Sequence, residues 1–254
     1  MATGIMQGDV ITSPCSLLKI KFSNSMRLDK YICRCTELSR TEAKKYLKRG
    51  AVLVNGETIK DPGFQVYEES VITLAGNLLT FASARYIMLY KPQDCICSNV
   101  DELYPSVLHL VDVDRAFDLH IAGRLDVDTT GLVLITDDGQ WSHKITAPKK
   151  ECNKRYRVQL SKPIPADAVE RFAHGLQLQN EAKLTKPARL EVLAEKEALL
   201  TISEGKYHQV KRMFAAIGNR VIGLHREQIG AIALDGELAI GQWRYLTEDE
   251  VSSV

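Results

Sequence analysis

The chain has 254 residues, 45% of them hydrophobic and 26% charged, with a formal net charge of +1. That length supports at least one full core and predicts two domains of unequal size, and the composition excludes wholesale disorder. No apolar stretch approaches the ~20 residues of a membrane-spanning helix, and the start, MATGIMQGDVITSPC, lacks the basic and apolar regions of a secretory signal, so a cytoplasmic protein with no membrane partner is expected.

The six cysteines form two C-x-C pairs and two singles, neither the C-x-x-C spacing of zinc sites nor a disulfide framework, which points to reduced thiols and no metal. Charge is uneven. Residues 26–60 carry nine Lys/Arg against four acids, a surplus of five, which leaves the rest of the chain at −4. A polyanion responds to such local charge rather than to the total.

Residues 1–25 show no period and are expected to be either an N-terminal extension, disordered on its own, or sequence upstream of a true start at Met26. From there Leu28, Ile32 and Cys35 recur at helical spacing. Ser39-Arg40-Thr41-Glu42 fits a capping box opening a second helix, whose Ala43, Tyr46 and Leu47 can face the first. Gly50 is placed to end that helix in a left-handed conformation. Val52-Leu53-Val54 and Glu57-Thr58-Ile59 flank Asn55-Gly56, a strong hairpin signal. Arg40, Lys44 and Lys48 fall at i, i+4, i+8 and form one stripe, either a solvated helix face or a surface for phosphates. The segments RLDKYI, SRTEAKKYLKRGAVLVNG and VITL resemble an S4-type RNA-binding domain over residues 26–74, two helices and a small sheet. That resemblance implies RNA contacts at Arg27, Lys30, Arg40, Lys44, Lys48 and Arg49.

Residues 75–84, AGNLLTFASA, are small and weakly patterned and are expected to be a linker to a larger domain over residues 85–254. That domain opens with an apolar strand, Tyr86 to Tyr90, ended by Lys91-Pro92. Residues 98–118 are expected as loops around a short helix. A charged loop, residues 123–131 (GRLDVDTTG), then enters the apolar run Leu132 to Ile135, which reads as a short buried strand. Gln140 to Thr146 predicts a helix, Arg155 to Leu160 a strand with Tyr156, Val158 and Leu160 on one face, and Ala166 to Gly175 an amphipathic helix with Ala168, Val169, Phe172 and Ala173 on its apolar side. Leu199 to Ile202 predicts a strand, His208 to Ile217 a helix closed by Gly218-Asn219, and residues 221–224 and 242–246 further strands. Strands in excess of helices, without β-α alternation, predict an α+β fold with a mostly antiparallel sheet.

Three chemistries compete for the loop. Asp126, Asp128, Thr130, Gly131 and Asp137 fall on the first, third, fifth, sixth and twelfth places of an EF-hand-like calcium loop, but Leu132 to Ile135 in its later half favours a strand. Asp126 with Asp137 or Asp138 could form the paired carboxylates of a glycoside hydrolase, although Asp137-Asp138-Gly139 is equally a turn.

The third rests on resemblance. GRLDVDTTGLVLITDDG is similar to the catalytic signature of the RsuA/RluA superfamily of pseudouridine synthases, and KRYRVQL and SEGKYHQVKRMFAAIGNRVIGLHREQIG resemble its downstream motifs in order. An S4-type domain in front is typical of the RsuA branch. The resemblance implies isomerisation of a uridine in 16S ribosomal RNA, within a partially assembled small subunit, by a monomer that needs no cofactor. A 23S paralogue and a non-catalytic assembly factor are the alternatives. Asp126 becomes the essential carboxylate, Lys211 and Arg212 the candidate cations that keep it ionised, with the Q-V-K-R match favouring Lys211 and setting Arg212 on an adjoining helical face, and Tyr156 a residue that stacks on the flipped base or assists proton removal. Arg124 is expected to anchor the flipped nucleotide's phosphate, His208 to help shape the pocket, and Lys206, Lys211, Arg212, Arg220 and Arg226 to form a second basic rim for RNA.

Overall fold

The computed structural model describes residues 25–36, 38–67, 69–80 and 84–254, so the expectations for residues 1–24 lie outside the described residues. The chain divides into two compact units, with the boundary between Ala84 and Arg85.

The first unit contains β1 (Met26–Arg27), α1 (Leu28–Cys35), α2 (Arg40–Lys48), β2 (Val52–Val54), β3 (Glu57–Thr58), β4 (Gln65–Val66), β5 (Ile72–Leu74) and β6 (Asn77–Leu78). The Ser39 hydroxyl accepts from the Glu42 N–H while the Glu42 carboxylate accepts from the Ser39 N–H at 2.8 Å, the reciprocal capping that starts α2. Leu28, Tyr31 and Ile32 of α1 bury against Ala43 and Leu47 of α2, with Tyr46 and Cys35 partly covered at the edge of the same cluster. Gly50 ends the helix at φ +75°. The Asn55-Gly56 turn has both residues at positive φ, 52° and 86°, as a two-residue hairpin requires.

A second hairpin was not anticipated. Ala75 and Gly76 also sit at positive φ and return the chain as β6, completing a sheet in the order β3-β2-β5-β6. Leu79 then buries in this unit's core and its carbonyl accepts from the Tyr31 hydroxyl at 3.3 Å. Residues 77–79 are therefore sheet and core rather than linker. Alanine in a left-handed position is disfavoured by its Cβ, so Ala-Gly carries no turn signal comparable to Asn-Gly.

The second unit is a sheet in the order β11-β12-β10-β13-β9-β7-β15, with β8 paired to β9 and β14 to β13. In chain order these are β7 (Tyr86–Lys91), β8 (His120–Ala122), β9 (Thr130–Thr136), α3 (Gly139–Thr146), β10 (Lys154–Leu160), α4 (Ala168–His174), β11 (Arg189–Ala194), β12 (Glu197–Ile202), α5 (Gln209–Ala216), β13 (Val221–Ile229), β14 (Ile232–Ala233), β15 (Trp243–Tyr245) and α6 (Glu248–Ser252). Every pairing is antiparallel except β9 with β13. The stretch between β7 and β8 holds two short 3-10 turns, Val107–Leu110 and Ala116–Asp118.

β9 is the apolar run Leu132 to Ile135, and it is covered on both faces. Val133 and Ile135 join Ile87, Tyr156, Val158, Leu160, Phe172 and Phe214 on one side; Leu132 and Leu134 join Met88, Trp141 and Ile145 on the other. Burial on two faces explains why this strand reads as continuous rather than alternating. At its start Gly131 (φ +110°) lies against β13 so closely that a Cβ would stand 2.3 Å from the Arg226 carbonyl oxygen; only glycine permits that approach.

Two expectations shift. In α4 only Ala168 and Phe172 bury, while Val169 and Ala173 face outward, because the covering sheet meets a stripe of about one residue per turn. His208 precedes α5 in a left-handed conformation (φ 46°) instead of opening the helix.

Candidate active site

The loop between β8 and β9 is held from behind by two buried cations. Lys91, at the end of β7, is fully buried and donates to the carbonyls of Pro92 and Thr129 at 2.9 Å and of Val127 at 3.3 Å. Its burial pulls the ammonium below the ordinary lysine pKa. Arg226 of β13, only 2% exposed, donates to the Gly123 carbonyl at 2.7 Å and the Leu132 carbonyl at 2.8 Å, bridging the loop's entry and exit. The Leu125 side chain points into the core while its N–H donates to Cys97 Sγ at 3.3 Å, and the Asp94 N–H donates to the Val127 carbonyl at 3.0 Å. With both ends and the middle pinned, the next side chain, Asp126, is presented from a rigid backbone.

The Asp126 carboxylate is about three-quarters covered (28% exposed) and meets two side chains from the segment around α5. Lys211 Nζ donates to Oδ2 at 2.9 Å, and His208 Nε2 lies 3.5 Å from Oδ1. Lys211 also donates to Asp128 Oδ1 at 2.6 Å. Burial lowers the Lys211 pKa, but hydrogen bonds to Asp128 and Asp126 outweigh it and leave the ammonium above its ordinary value. For Asp128 burial acts upward, and the Lys211 hydrogen bond and charge more than offset it, leaving the carboxyl below its usual range. The arrangement is a partly covered carboxylate ion-paired to a lysine ammonium on a pinned loop, suited to nucleophilic or general-base chemistry.

Tyr156 of β10 is buried beside Arg226, its registered neighbour, with its hydroxyl 3.5 Å from Nη1 and the guanidinium 6.0 Å from the ring centre. The buried cation that shapes the Asp126 loop thus also contacts the tyrosine.

Three sequence expectations do not survive the geometry. Arg212 is not at Asp126: its guanidinium donates to Glu181 at 3.0 Å and to the carbonyls of Gln179 at 2.6 Å and Tyr207 at 3.2 Å. One step along a helix turns a side chain by about 100°, so Lys211 and Arg212 cannot share a target. Arg226 is buried beneath the loop and is unavailable to a rim. The second basic rim is largely neutralised, because Glu181 pairs with both Lys206 and Arg212 and the two loop aspartates hold Lys211. Glu181 lies in a loop after α4, and no local pattern ties it to α5. Arg124, by contrast, is exposed and makes no ion pair among the described residues. In the first unit Lys30, Arg40, Lys44, Lys48 and Arg49 are exposed, whereas Arg27 is paired with Asp29 at 2.8 Å.

Among the described residues, no group of three or more His, Cys, Asp and Glu could hold a metal ion. The first and third places of the calcium-like loop, Asp126 and Asp128, converge on the Lys211 ammonium. A hydrolase pairing fails on distance and occupation. Asp137 sits beyond the far end of β9, roughly 20 Å from Asp126, and binds the Arg85 N–H and guanidinium. Asp138 caps α3 through the N–H groups of Gln140 and Trp141.

Residues 85–216 match the RNA pseudouridylate synthase family and residues 26–72 match the S4 domain family. Proteins named ribosomal small subunit pseudouridine synthase A are similar along nearly their whole length. The one from Vibrio cholerae is 54% identical over 229 residues, 90% of this chain and 99% of the relative. That of Escherichia coli K12 is 52% identical over 230 residues, 90% of this chain and all of the relative. A crystal structure described as pseudouridylate synthase superposes with a TM-score of 0.66 at 49% identity, covering 90% of this chain and 99% of the other.

Proposed function

We propose, for a chain that belongs to the RNA pseudouridylate synthase family, that it converts one uridine of 16S ribosomal RNA to pseudouridine with Asp126 as its essential carboxylate. The observation that carries this is the Asp126–Lys211 ion pair at 2.9 Å, formed between the family's two most distinctive segments. The two units divide the work, residues 26–79 gripping RNA and residues 85–254 isomerising it.

The chemistry makes few demands beyond those the site meets. The N1–C1′ bond breaks, the uracil turns, and C5 bonds to C1′ while the C5 proton leaves and N1 gains one. Atoms and electrons balance within the nucleotide, so no redox partner or acceptor is involved. Asp126 touches the reacting nucleotide, with Lys211 orienting it through the 2.9 Å ion pair. Tyr156 flanks the base and assists removal of the C5 proton. His208 closes the near side of the recess, and exposed Arg124 takes the phosphate of the extruded nucleotide, whose unstacking costs a few kcal/mol. Lys30, Arg40, Lys44, Lys48 and Arg49 grip the RNA backbone. The enzyme acts as a cytoplasmic monomer on a partially assembled small subunit.

The test is to incubate the protein and Asp126→Asn with 16S RNA, free and in partially assembled particles, and with 23S RNA, and to map pseudouridine by carbodiimide primer extension. One new stop made by the unaltered chain and absent with Asp126→Asn is expected. No stop on any RNA would defeat the proposal, and a stop on 23S RNA alone would reassign the substrate.

A further inference from the structure

Tyr207 is 75% exposed, yet it is not loose. Its ring lies flat on His208, centroids 3.8 Å apart and planes at 23°. Among the described residues the other ring pairs are tilted or edge-on. His208 in turn reaches Asp126 at 3.5 Å. A two-ring stack therefore runs from solvent to the carboxylate, with the outer aromatic ring largely open.

The segment beneath the stack is clamped by groups with no part in the chemistry proposed above. Arg212 donates to the Tyr207 carbonyl at 3.2 Å, and the same guanidinium is held by Glu181 at 3.0 Å. Glu181 also takes Lys206 at 2.9 Å, and the Lys206 N–H donates to the Gln209 side chain at 2.8 Å. His208 adopts a left-handed backbone conformation (φ 46°), uncommon outside glycine though more accessible to histidine than to most residues. An ion-paired clamp under one exposed, stacked ring is out of proportion to a surface tyrosine without a ligand.

We propose that the outer ring of Tyr207 is a binding platform for an unpaired RNA base, one immediate neighbour of the uridine that enters the Asp126 recess. The inference rests on the isomerase proposed above and goes beyond it by assigning the flanking-base contact. Extruding one nucleotide leaves its neighbour without a stacking partner, and an aromatic face beside the recess replaces that partner whatever the base. Glu181, Lys206 and Arg212 are positioning residues for the platform.

The experiment is a cycle between ring and base. Small-subunit RNA is made with an abasic residue immediately 5′ or 3′ of the mapped uridine and presented in whichever form the unaltered chain modifies. Its affinity is measured for the unaltered full-length chain and for Tyr207→Ala, Tyr207→Leu and Tyr207→Phe. Tyr207→Ala and Tyr207→Leu are expected to bind intact RNA roughly 5- to 150-fold more weakly, the range of one base–aromatic stack. Tyr207→Phe keeps the affinity. At one neighbour the abasic substitution weakens the unaltered chain by a similar factor and Tyr207→Ala no further. Unchanged affinity of Tyr207→Ala, loss with Tyr207→Phe, or losses that multiply at both neighbours would overturn the platform. If the unaltered chain modifies RNA, such a result removes the platform alone; if it makes no pseudouridine, the isomerase and the platform fall together.

Discussion

At the scale of single residues, Lys211 serves two carboxylates, Asp126 at 2.9 Å and Asp128 at 2.6 Å, of which the proposed chemistry uses the first. Its ammonium lies beneath Asp126 and Asp128 and is mostly covered, so its removal disturbs chemistry more than RNA contact. Lys211→Met is expected to lower the single-turnover rate at saturating RNA by roughly a hundredfold or more, the scale of losing one preorganised charge partner, with little change in KM. A loss expressed mainly in KM would instead make Lys211 a phosphate contact. Asp126 and Lys211 were legible because each sits in a long motif, and their spacing along the chain is irrelevant once motifs are matched in order. The fate of Arg212 and Arg226 was not. Their charge suggested RNA, but what each cation touches is decided by the register of β13 against β9 and by Glu181 in a distant loop. Lys91 and Cys97 carried no signal as loop supports, since a lysine before proline and a C-x-C thiol pair look ordinary in a sequence.

At the scale of elements, α2 and α6 show how local rules reach function and stability. The exposed Lys44 and Lys48 of α2 make no ion pair among the described residues, which leaves them available to phosphates. Lys44→Ala is expected to weaken RNA binding and to reduce the slope of log affinity against log salt by about 0.7–0.9, one phosphate contact, with the rate on bound RNA unaltered. A slope identical to that of the unaltered chain would remove α2 from the interface. The short α6 is tied down by Arg244, whose guanidinium meets both Glu250 oxygens at 2.8 Å and Asp235 at 2.6 Å. The Arg244 hydrogen bond holds the Glu250 carboxyl below its ordinary range. A carboxyl depressed on folding stabilises the protein above its unfolded pKa, and that contribution disappears as pH falls through the folded value. Glu250→Gln is thus expected to lose about 1–3 kcal/mol at neutral pH, with the difference closing as pH drops below about 4 in thermal melts. A constant difference across pH would contradict the pairing. Among the elements, the Asn55-Gly56 hairpin and capped α2 were legible because their residue types each demand one backbone conformation. β6 was hidden by its Ala-Gly turn, and β11 by its place at the sheet edge, where Val192 and Leu193 are exposed and no alternation marks a buried face.

For the whole molecule, a net charge of +1 conceals a division of labour between a basic N-terminal unit and a larger unit whose cations are mostly consumed internally. Salt therefore weakens the grip on RNA far more than it disturbs the partly buried Asp126–Lys211 pair. Among the described residues no helix is long and apolar enough to cross a membrane. The α+β class followed from counting strands against helices, whereas the parallel pairing of β9 with β13 could not be read in advance although it sets Arg226 beneath the Asp126 loop. The central claim is that Asp126 initiates an isomerisation in which C5 of one uridine loses its proton. Release of tritium to water from 16S RNA labelled at C5 of uridine measures that loss directly. The account predicts release approaching one tritium per labelled target uridine with the unaltered chain, and none with Asp126→Asn despite its normal RNA affinity. Equal release by both proteins, or none by either in free RNA and assembling particles alike, would contradict it.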